Sequence, residues 1–285
     1  MNLEKAKLFI INAIKNIYDE REASNIAQLL LEWLTGKNKI AQYLDKYGAL
    51  TLSQENRLIA AIERLNHFEP IQYLIGEAWF MGLSFKVNPS TLIPRPETEE
   101  LIEWILNDYK NLTTAPINLL DIGTGSGCIP ILLKQKIPAS TIHTIDISNG
   151  AIECAKQNAV NHGSDINCIE MDFTNETNWA QLPSFNIIVS NPPYIMEMEK
   201  VDLHKNVLEH EPASALFVPN NNPLLFYKKI KQFSTTHLQS NGQIYLEINE
   251  QFGSDIVTLF TAKNHTVELK KDMQGKDRMV KVIKK

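Results

Sequence analysis

The sequence predicts an α/β protein whose doubly wound, mostly parallel sheet is preceded by a small helical bundle. Through residues 1–75, apolar residues recur only at helical spacing. From about residue 117, short strand-like apolar runs alternate with helical segments. A glycine-rich turn directly follows the first of these runs. This alternation is typical of an open, mostly parallel sheet with helices on both faces.

The helical N-terminal segment has recognisable helix boundaries. One apolar stripe runs from Leu8 to Ile17 and a second from Ile26 to Trp33. Gly36 stands where a glycine C-cap would end the second helix. Thr51 and Gln54 have the spacing of a capping box before another apolar stripe. The segment carries no recognisable chemistry, and we expect its charged residues to face solvent.

The pattern of residues changes between positions 76 and 96, where glycines and prolines interrupt short apolar stretches. We interpret this part as a hairpin linker, and Thr98 opens the next helix. The remaining predicted elements are strand 117–120, a helix from 128, strand 141–147, helix 149–162, strands 167–171 and 185–190, helix 224–238, strand 242–248, helix 255–262, and strands 266–271 and 279–283.

The composition excludes several classes of protein. The formal net charge of −5 argues against general affinity for nucleic acid, which requires dense lysine and arginine. The three cysteines have no Cys-x-x-Cys spacing and indicate neither a disulfide framework nor a zinc site, and no metal is expected. No apolar run is long enough to span a membrane, and the charged start is unlike a secretory signal. We therefore expect a cytoplasmic protein that does not bind membranes.

The glycine-rich turn from Asp121 to Gly127 reads Asp-Ile-Gly-Thr-Gly-Ser-Gly. Glycines at alternate positions allow a close approach of the backbone to a ligand. A dinucleotide fingerprint would need glycine at position 128, which is Cys128, and no P-loop lysine follows. The acidic Asp121 disfavours phosphate and favours a cationic group. The alternative interpretation of the glycines alone is a tight strand-to-helix turn.

Further candidate residues stand at the ends of the next two strands. Asp146 occupies the position from which an acid accepts hydrogen bonds from ribose hydroxyls, and Ile147 could pack on an adenine face. Asp172 and Phe173 could bind the adenine amino group and line its ring. The alternative interpretation of Asp146 alone is a helix N-cap or a loop charge, and Asp172 and Phe173 alone could be ordinary loop residues. Together they mark the carboxyl edge of a parallel sheet, where such folds bind ligands.

The segment Asn191-Pro192-Pro193-Tyr194 follows the apolar run that begins at Phe185. The amide oxygen of Asn191 and the carbonyl of Pro192 can accept the two N–H bonds of a planar NH2 group. The ring of Tyr194 can cover one face of that group. Alone, the segment could also be a proline-rich turn that closes a strand. Next to a cofactor site, it predicts a clamp for a methyl acceptor.

Together these residues resemble a Class I S-adenosylmethionine-dependent methyltransferase, which implies a Rossmann-like sheet with an antiparallel C-terminal strand. The fuller pattern resembles the peptide chain release factor N5-glutamine methyltransferase family over nearly the whole chain. The segments that carry this resemblance are residues 69–76, 92–99, 121–127, 190–194, 211–212 and 272–278. Residues 218–224 depart from a glycine-rich loop that is frequent in the family, which leaves the role of this loop open.

The resemblance implies methyl transfer from S-adenosylmethionine to the glutamine side chain in the Gly-Gly-Gln motif of class 1 release factors. It implies a substrate-recognition domain at 1–75, a linker at 76–96, a catalytic domain at 97–285, and a monomer. The cofactor residues would be Asp121, Ile122, Gly123, Thr124, Gly125, Asp146, Ile147, Asp172, Phe173 and Asn191. The catalytic residues would be Asn191, Pro192 and Tyr194, and the substrate would contact Asn191, Pro192, Pro193, Tyr194 and Arg95.

Several alternatives stay open at this point. A glutamine methyltransferase acting on a ribosomal protein, or a nucleic-acid amino-methyltransferase, could use the same clamp, and a non-catalytic binding protein could retain the fold. Residues 93–99 favour the release-factor branch. Arg95 and Glu97 could shape the pocket or form a surface ion pair. His204 and His210 are more simply explained as solvated loop residues than as bases, and no general base is assigned.

Overall fold

A computed structural model of the protein describes residues 1–109 and 116–285. The described chain divides into two compact units. The first contains Met1–Glu77 and Leu203–His210. The second contains Ala78–Asp202 and Glu211–Lys285.

The first unit is helical, as the N-terminal pattern predicts. Its helices are α1 (Leu3–Ile14), α2 (Glu20–Thr35), α3 (Lys39–Leu44), α4 (Leu52–Asn66), α5 (Ile71–Ile75) and α9 (Lys205–His210). Gly36 ends α2 in the left-handed conformation at φ 68°. Thr51 and Gln54 form the predicted capping box at the start of α4. The apolar faces of α1, α2 and α4 form one core that includes Ile10, Leu30 and Leu58.

Residues 203–210 belong to the helical unit although they lie far from it in sequence. The ring of His204 contacts the rings of Tyr18 and Phe68. Nε2 of His210 lies 2.8 Å from the carbonyl oxygen of His67. His204 is an exposed loop residue, as predicted, whereas His210 is the last residue of α9. The predicted catalytic domain at 97–285 includes this segment.

The second unit contains a hairpin and a large sheet. Its strands are β1 (Glu77–Phe80, which begins on the last residue of the first unit), β2 (Leu83–Lys86), β3 (Asn118–Ile122), β4 (Thr141–Asp146), β5 (Asn167–Glu170), β6 (Phe185–Ser190), β7 (Ile195–Met196), β8 (Phe217–Val218), β9 (Leu238–Glu247), β10 (His265–Lys271) and β11 (Asp277–Lys284). Its helices are α6 (Pro96–Tyr109), α7 (Cys128–Lys136), α8 (Asn149–Asn161), α10 (Ala213–Leu216), α11 (Leu225–His237) and α12 (Gly253–Phe260).

The main sheet has seven strands in the order β10-β11-β9-β6-β3-β4-β5. The five strands from β9 to β5 are parallel, and β11 pairs with β9 in the antiparallel sense. The predicted mostly parallel sheet with an antiparallel C-terminal strand is therefore confirmed. Strand β3 pairs with β4 on one side and with β6 on the other. The order of the strands along the chain therefore reverses at β3, and such a point is where open α/β sheets bind ligands.

Helices cover both faces of the sheet. Successive residues of a strand point to opposite sides, so neighbouring strand residues belong to different cores. Leu119 and Ile187 belong to the core that contains residues of α6 and α7. Leu120 and Ile188 belong to the opposite core, which contains residues of α11 and α12. Burial on both faces explains why these strands read as continuous apolar runs.

Some element boundaries differ from the prediction. Helix α6 begins at Pro96 rather than Thr98, because proline is favoured in the first turn of a helix. Strand β9 begins at Leu238, before the predicted residue 242, and includes Asn241 in a left-handed conformation at φ 60°. The short pair β7 and β8, helices α9 and α10, and three 3₁₀ turns were not predicted. These elements have too few residues to generate an apolar period.

Candidate functional site

The predicted site residues meet at the carboxyl edge of β3, β4, β5 and β6. One cavity there is lined by predicted cofactor and substrate residues. These are Ile122, Gly123, Thr124, Gly125, Asp146, Ile147, Asp172, Phe173, Asn191, Pro192, Pro193 and Arg95. Asp121 and Tyr194 are not among the lining residues. The strands thus bring most of the predicted residues to one cavity, although the chain separates them widely.

The glycine loop is attached to the neighbouring strand. The N–H groups of Gly123 and Thr124 both donate to the carbonyl of Ile145, at 2.9 and 3.1 Å. Gly123 and Gly125 have φ of 82° and 53°, a left-handed conformation that glycine adopts without strain. A Cβ on Gly123 would lie 3.9 Å from the backbone oxygen of Asn191, so the loop and the predicted clamp are neighbours.

Asn158 on α8 holds the loop from below. Its Nδ2 donates to the carbonyl oxygens of Ser126 at 2.8 Å and Lys86 at 2.9 Å. Its Oδ1 accepts from the N–H of Lys86 at 2.8 Å. The residue is fully buried, and its three bonds join helix, hairpin and loop. Sequence reasoning did not identify Asn158, because an asparagine within a helical pattern carries no local signal.

Asp146 lies at the end of β4 and faces the cavity. Its Oδ2 accepts from the N–H of Gly125 at 2.9 Å, and its Oδ1 accepts from the N–H of Ser148 at 2.9 Å. Burial raises the pKa of this carboxyl above its usual value, while the backbone hydrogen bonds act in the opposite direction. Each carboxylate oxygen has capacity for a further donor, which suits a ligand hydroxyl.

Asp121 is completely buried beneath the cavity rather than on its wall. Its Oδ2 accepts from Thr144 Oγ1 at 2.7 Å. Burial raises the pKa of Asp121 to about 7, and hydrogen bonds from the Thr144 and Thr124 side chains oppose the shift. This placement does not favour a direct ion pair between Asp121 and a ligand in the cavity, which the sequence suggested.

The ends of β4 and β5 supply an apolar wall. Ile147 lines the cavity with 59% of its surface exposed, which is unusual for isoleucine. Phe173 is buried against Trp179 and Phe233, so its ring is fixed. The neighbouring Asp172 accepts hydrogen bonds at Oδ1 from the N–H of Thr174 at 2.8 Å and from its hydroxyl at 2.6 Å. This wall suits a flat, partly apolar group with polar edges.

The predicted clamp is supported by a buried hydrogen-bonded chain. Nδ2 of Asn191 donates to Thr98 Oγ1 at 3.1 Å, and that hydroxyl donates to Glu247 Oε2 at 2.7 Å. The hydroxyl of Tyr194 donates to Glu247 Oε1 at 3.1 Å. Nδ2 of Asn249 donates to the carbonyl of Tyr194 at 3.2 Å. Tyr194, predicted to cover the acceptor, is not among the residues that line the cavity.

Thr98 and Glu247 were missed in the sequence. The available signal was an acidic residue at the end of the apolar strand β9, at the same edge as Asp146. Glu247 is 1% exposed, and burial raises the pKa of its carboxyl. Arg278 acts in the opposite direction, and Asp272 accepts a hydrogen bond from its Nε at 3.2 Å. The motif at 272–278 thus places a cation near the clamp.

Arg95 lines the cavity and forms an ion pair with Glu211, whose side chain is 1% exposed. Oε2 of Glu211 accepts from the N–H of Ile93 at 3.1 Å. The pair therefore fixes the segment before α6, and it is not the exposed surface pair considered as the alternative. Glu97 does not line the cavity.

Two further observations bear on what the cavity can hold. The side-chain hydroxyls of Thr124 and Ser126, two residues that line the cavity, act on the Asp121 carboxyl and on the Cys128 thiol respectively. Across residues 1–109 and 116–285, no group of three or more His, Cys, Asp or Glu side chains could hold a metal ion, and no helix is long and apolar enough to cross a membrane.

Comparison with known proteins places this fold. The sequence matches the Methyltransferase small domain over residues 105–216 and the PrmC N-terminal domain over residues 11–76. A crystal structure of a methyltransferase from Pyrococcus furiosus is similar at a TM-score of 0.50 and 16% identity, covering 82% of this chain and 98% of that one. The chain has the Class I methyltransferase fold.

Its relatives define the family more narrowly. A release factor glutamine methyltransferase of Flavobacterium psychrophilum is 42% identical over 99% of both chains. One of Bacteroides thetaiotaomicron is 36% identical over 98% of this chain and 99% of its own length. The chain belongs to the release factor glutamine methyltransferase family, as the sequence motifs indicate.

The burial of Asp121 predicts a dependence of stability on pH. Because its folded pKa of about 7 lies above the ordinary aspartate value of 3.8, its contribution to stability is full below about pH 4 and is lost as the pH rises through 7. When the pH is raised from 5 to 8, the unfolding free energy of the wild type should fall by roughly 2–3 kcal/mol more than that of the Asp121→Asn variant. Urea denaturation at several pH values measures this.

The matched control is Asp165→Asn, which changes an exposed carboxylate of the same unit. It should keep the wild-type dependence on pH. An Asp121→Asn variant with the wild-type slope would show that this carboxyl does not titrate in that range.

Proposed function

We propose that the chain transfers the methyl group of S-adenosylmethionine to the side-chain amide nitrogen of the glutamine in the Gly-Gly-Gln motif of class 1 release factors. The observation that carries this proposal is the orientation of the Asn191 amide. Its NH2 group donates a hydrogen bond to the hydroxyl of Thr98, and Asn191 is among the residues that line the cavity. Membership in the release factor glutamine methyltransferase family supports the same acceptor.

The cavity residues fit the cofactor. Asp146 would accept from the ribose hydroxyls, Ile147 and Phe173 would contact the adenine, and Asp172 would bind its amino group. The loop from Gly123 to Gly125, with the adjacent Thr124 hydroxyl, would contact the methionine portion. Asp121 would act on that portion through the loop rather than by contact. When bound, S-adenosylmethionine supplies an electrophilic methyl group on a sulfonium sulfur.

The acceptor nitrogen needs help, because its lone pair is delocalised into the amide carbonyl. Asn191 Oδ1 and the Pro192 carbonyl would accept its two N–H bonds and hold the nitrogen in line for attack. They would also stabilise positive charge as it develops on nitrogen. Pro192 and Pro193 have restricted φ angles and keep these acceptors aimed. Tyr194 supports this geometry through Glu247. No general base is assigned, since the proton becomes acidic once the methyl is attached.

The physical properties of the chain support a protein acceptor. Its net charge of −5 disfavours a nucleic acid with its dense phosphate charge. Arg95, which forms an ion pair with Glu211 and lines the cavity, would contact the substrate. We further propose that the helical unit recognises the release factor, and that the enzyme acts as a cytoplasmic monomer without membrane or stable nucleic-acid partners.

A transfer assay with methyl-labelled cofactor tests the acceptor directly. We expect label in a class 1 release factor and none in its variant with alanine in place of the Gly-Gly-Gln glutamine. A ribosomal protein and DNA are offered in parallel at the same concentration. Label in either of those, with none in the release factor, would replace the proposal by the corresponding alternative.

Two substitutions should separate acceptor binding from cofactor binding. Asn191→Ala should lower kcat by about 10²–10³-fold, as expected for loss of a preorganised group that acts in the transition state. Its cofactor Kd should change little. Asp146→Ala should weaken cofactor binding by about tenfold or more through loss of its hydrogen bonds. Calorimetry measures binding, and labelled transfer measures kcat.

Asn161→Ala, at an exposed asparagine on α8, is the matched control and should retain wild-type binding and transfer. Near-wild-type transfer by Asn191→Ala would contradict the clamp. Unchanged cofactor affinity in Asp146→Ala would contradict the placement of the ribose.

A further inference from the structure

A buried carboxylate lies beneath the clamp and is connected to it on both sides. Glu247 ends β9, and its two oxygens accept from Thr98 at 2.7 Å and Tyr194 at 3.1 Å. Thr98 is 3% exposed and is among the residues that line the cavity, whereas Glu247 is 1% exposed and is not. The carboxylate at the end of β9 thus connects α6, through Thr98, with the segment that follows the neighbouring strand β6, through Tyr194.

The hydroxyl of Thr98 fixes a direction along this chain. A hydroxyl carries one proton, and here that proton is donated to Glu247. The oxygen of Thr98 can therefore only accept from Asn191, whose Nδ2 lies 3.1 Å away. This arrangement leaves Oδ1 of Asn191 without a partner among the described residues. The orientation of the amide follows from its bonding partners, as it does for buried asparagines in general.

We propose that Glu247 is a positioning residue that, through Thr98, holds the Asn191 amide with its oxygen toward the acceptor. This inference rests on the proposed function, since it concerns the same methyl acceptor. A reversed amide would present NH2 to the NH2 of the glutamine, and two donors facing each other cannot form a hydrogen bond. Glu247 touches neither the cavity nor the reacting atoms, because it is absent from the cavity wall.

The ionisation of Glu247 controls this direction. Charged and titratable groups on four parts of the chain lie near the Glu247 carboxyl. These are Arg278 on β11, Glu97 on α6, Tyr194 after β6 and Tyr227 on α11. Burial and Glu97 raise the pKa of Glu247, and the two hydroxyl hydrogen bonds and Arg278 lower it. An ionised carboxylate only accepts, which matches both observed bonds. A protonated carboxyl can donate to Thr98, and the hydroxyl can then donate to Asn191 and permit the reversed amide.

The consequence is a loss of turnover at acidic pH. As the pH falls through the pKa of Glu247, kcat at saturating cofactor and release factor should fall. Glu247→Gln keeps the shape of the side chain but places an NH2 group in the network. It should lower kcat about tenfold or more at neutral pH and remove the acid limb of the profile. The cofactor Kd should stay within about twofold of the wild type.

Threonine at position 98 gives an independent test that changes no charge. Thr98→Val removes the hydroxyl at nearly constant volume and should lower kcat about tenfold, with KM for the release factor changing less. Thr98→Ser restores the hydroxyl and should return kcat to within about threefold of the wild type. Glu250→Gln, at an exposed carboxylate three positions beyond Glu247, is the control and should keep both kcat and the pH profile.

The experiment is labelled methyl transfer to a release factor over a range of pH, with cofactor binding measured on each variant. Loss of kcat in Glu247→Gln and Thr98→Val, with recovery in Thr98→Ser, supports the inference. A Thr98→Val variant within about twofold of wild-type kcat overturns it, whether or not Glu247→Gln folds. Absence of transfer by the wild type would instead contradict the proposed function itself, so the two failures are distinguishable.

Discussion

The parallel pairing of β3 with both β4 and β6 is the constraint on which the site depends. In the register of the sheet, Asp121 is opposite Thr144 on one side and Val189 on the other. This register brings the ends of the three strands to one level. The glycine loop and Asn191 directly follow the ends of β3 and β6, and Asp146 is the last residue of β4. Each lies at the cavity only because its strand stops at that level, and a shift of one residue would turn the side chains to the other face.

The carboxylates of Asp121 and Glu247 are buried beneath the cavity at a cost in folding free energy, which indicates that they have a role there. Burial of a carboxylate in an apolar interior is unfavourable unless hydrogen bonds compensate. Glu247 accepts from two hydroxyl groups and lies near an arginine, and Asp121 accepts from the hydroxyl of Thr144. An apolar core would be simpler at both positions. Their presence is explained by orientation of the glycine loop and the clamp.

The same physics explains which parts of the molecule could be predicted from the sequence. Strands buried on both faces produce uninterrupted apolar runs, and the residues after those runs fall at one edge. That logic found Asp146, Asp172 and Asn191 without coordinates. It also predicted the Gly36 cap and the Thr51 capping box, because caps are local.

Contacts distant in sequence could not be predicted in this way. Thr98 and Glu247 are 149 positions apart, and only the sheet order brings them together. Asn158 and Glu211 act on segments more than 70 positions away, with no local pattern to mark them. Tyr194 was expected to cover the acceptor, but its hydroxyl finds Glu247 beneath the clamp. Residues 203–210 were assigned to the catalytic part because sequence order was the only guide.

The central claim is that the Asn191 amide presents its oxygen to a glutamine NH2 group at the mouth of β6. A crystal structure with S-adenosylhomocysteine and a Gly-Gly-Gln peptide would test it most directly. We expect the glutamine nitrogen to lie about 3 Å from Asn191 Oδ1 and from the Pro192 carbonyl oxygen, with Nδ2 of Asn191 still on Thr98. A glutamine bound elsewhere in the cavity, or an Asn191 amide turned with Nδ2 toward the peptide, would contradict the account.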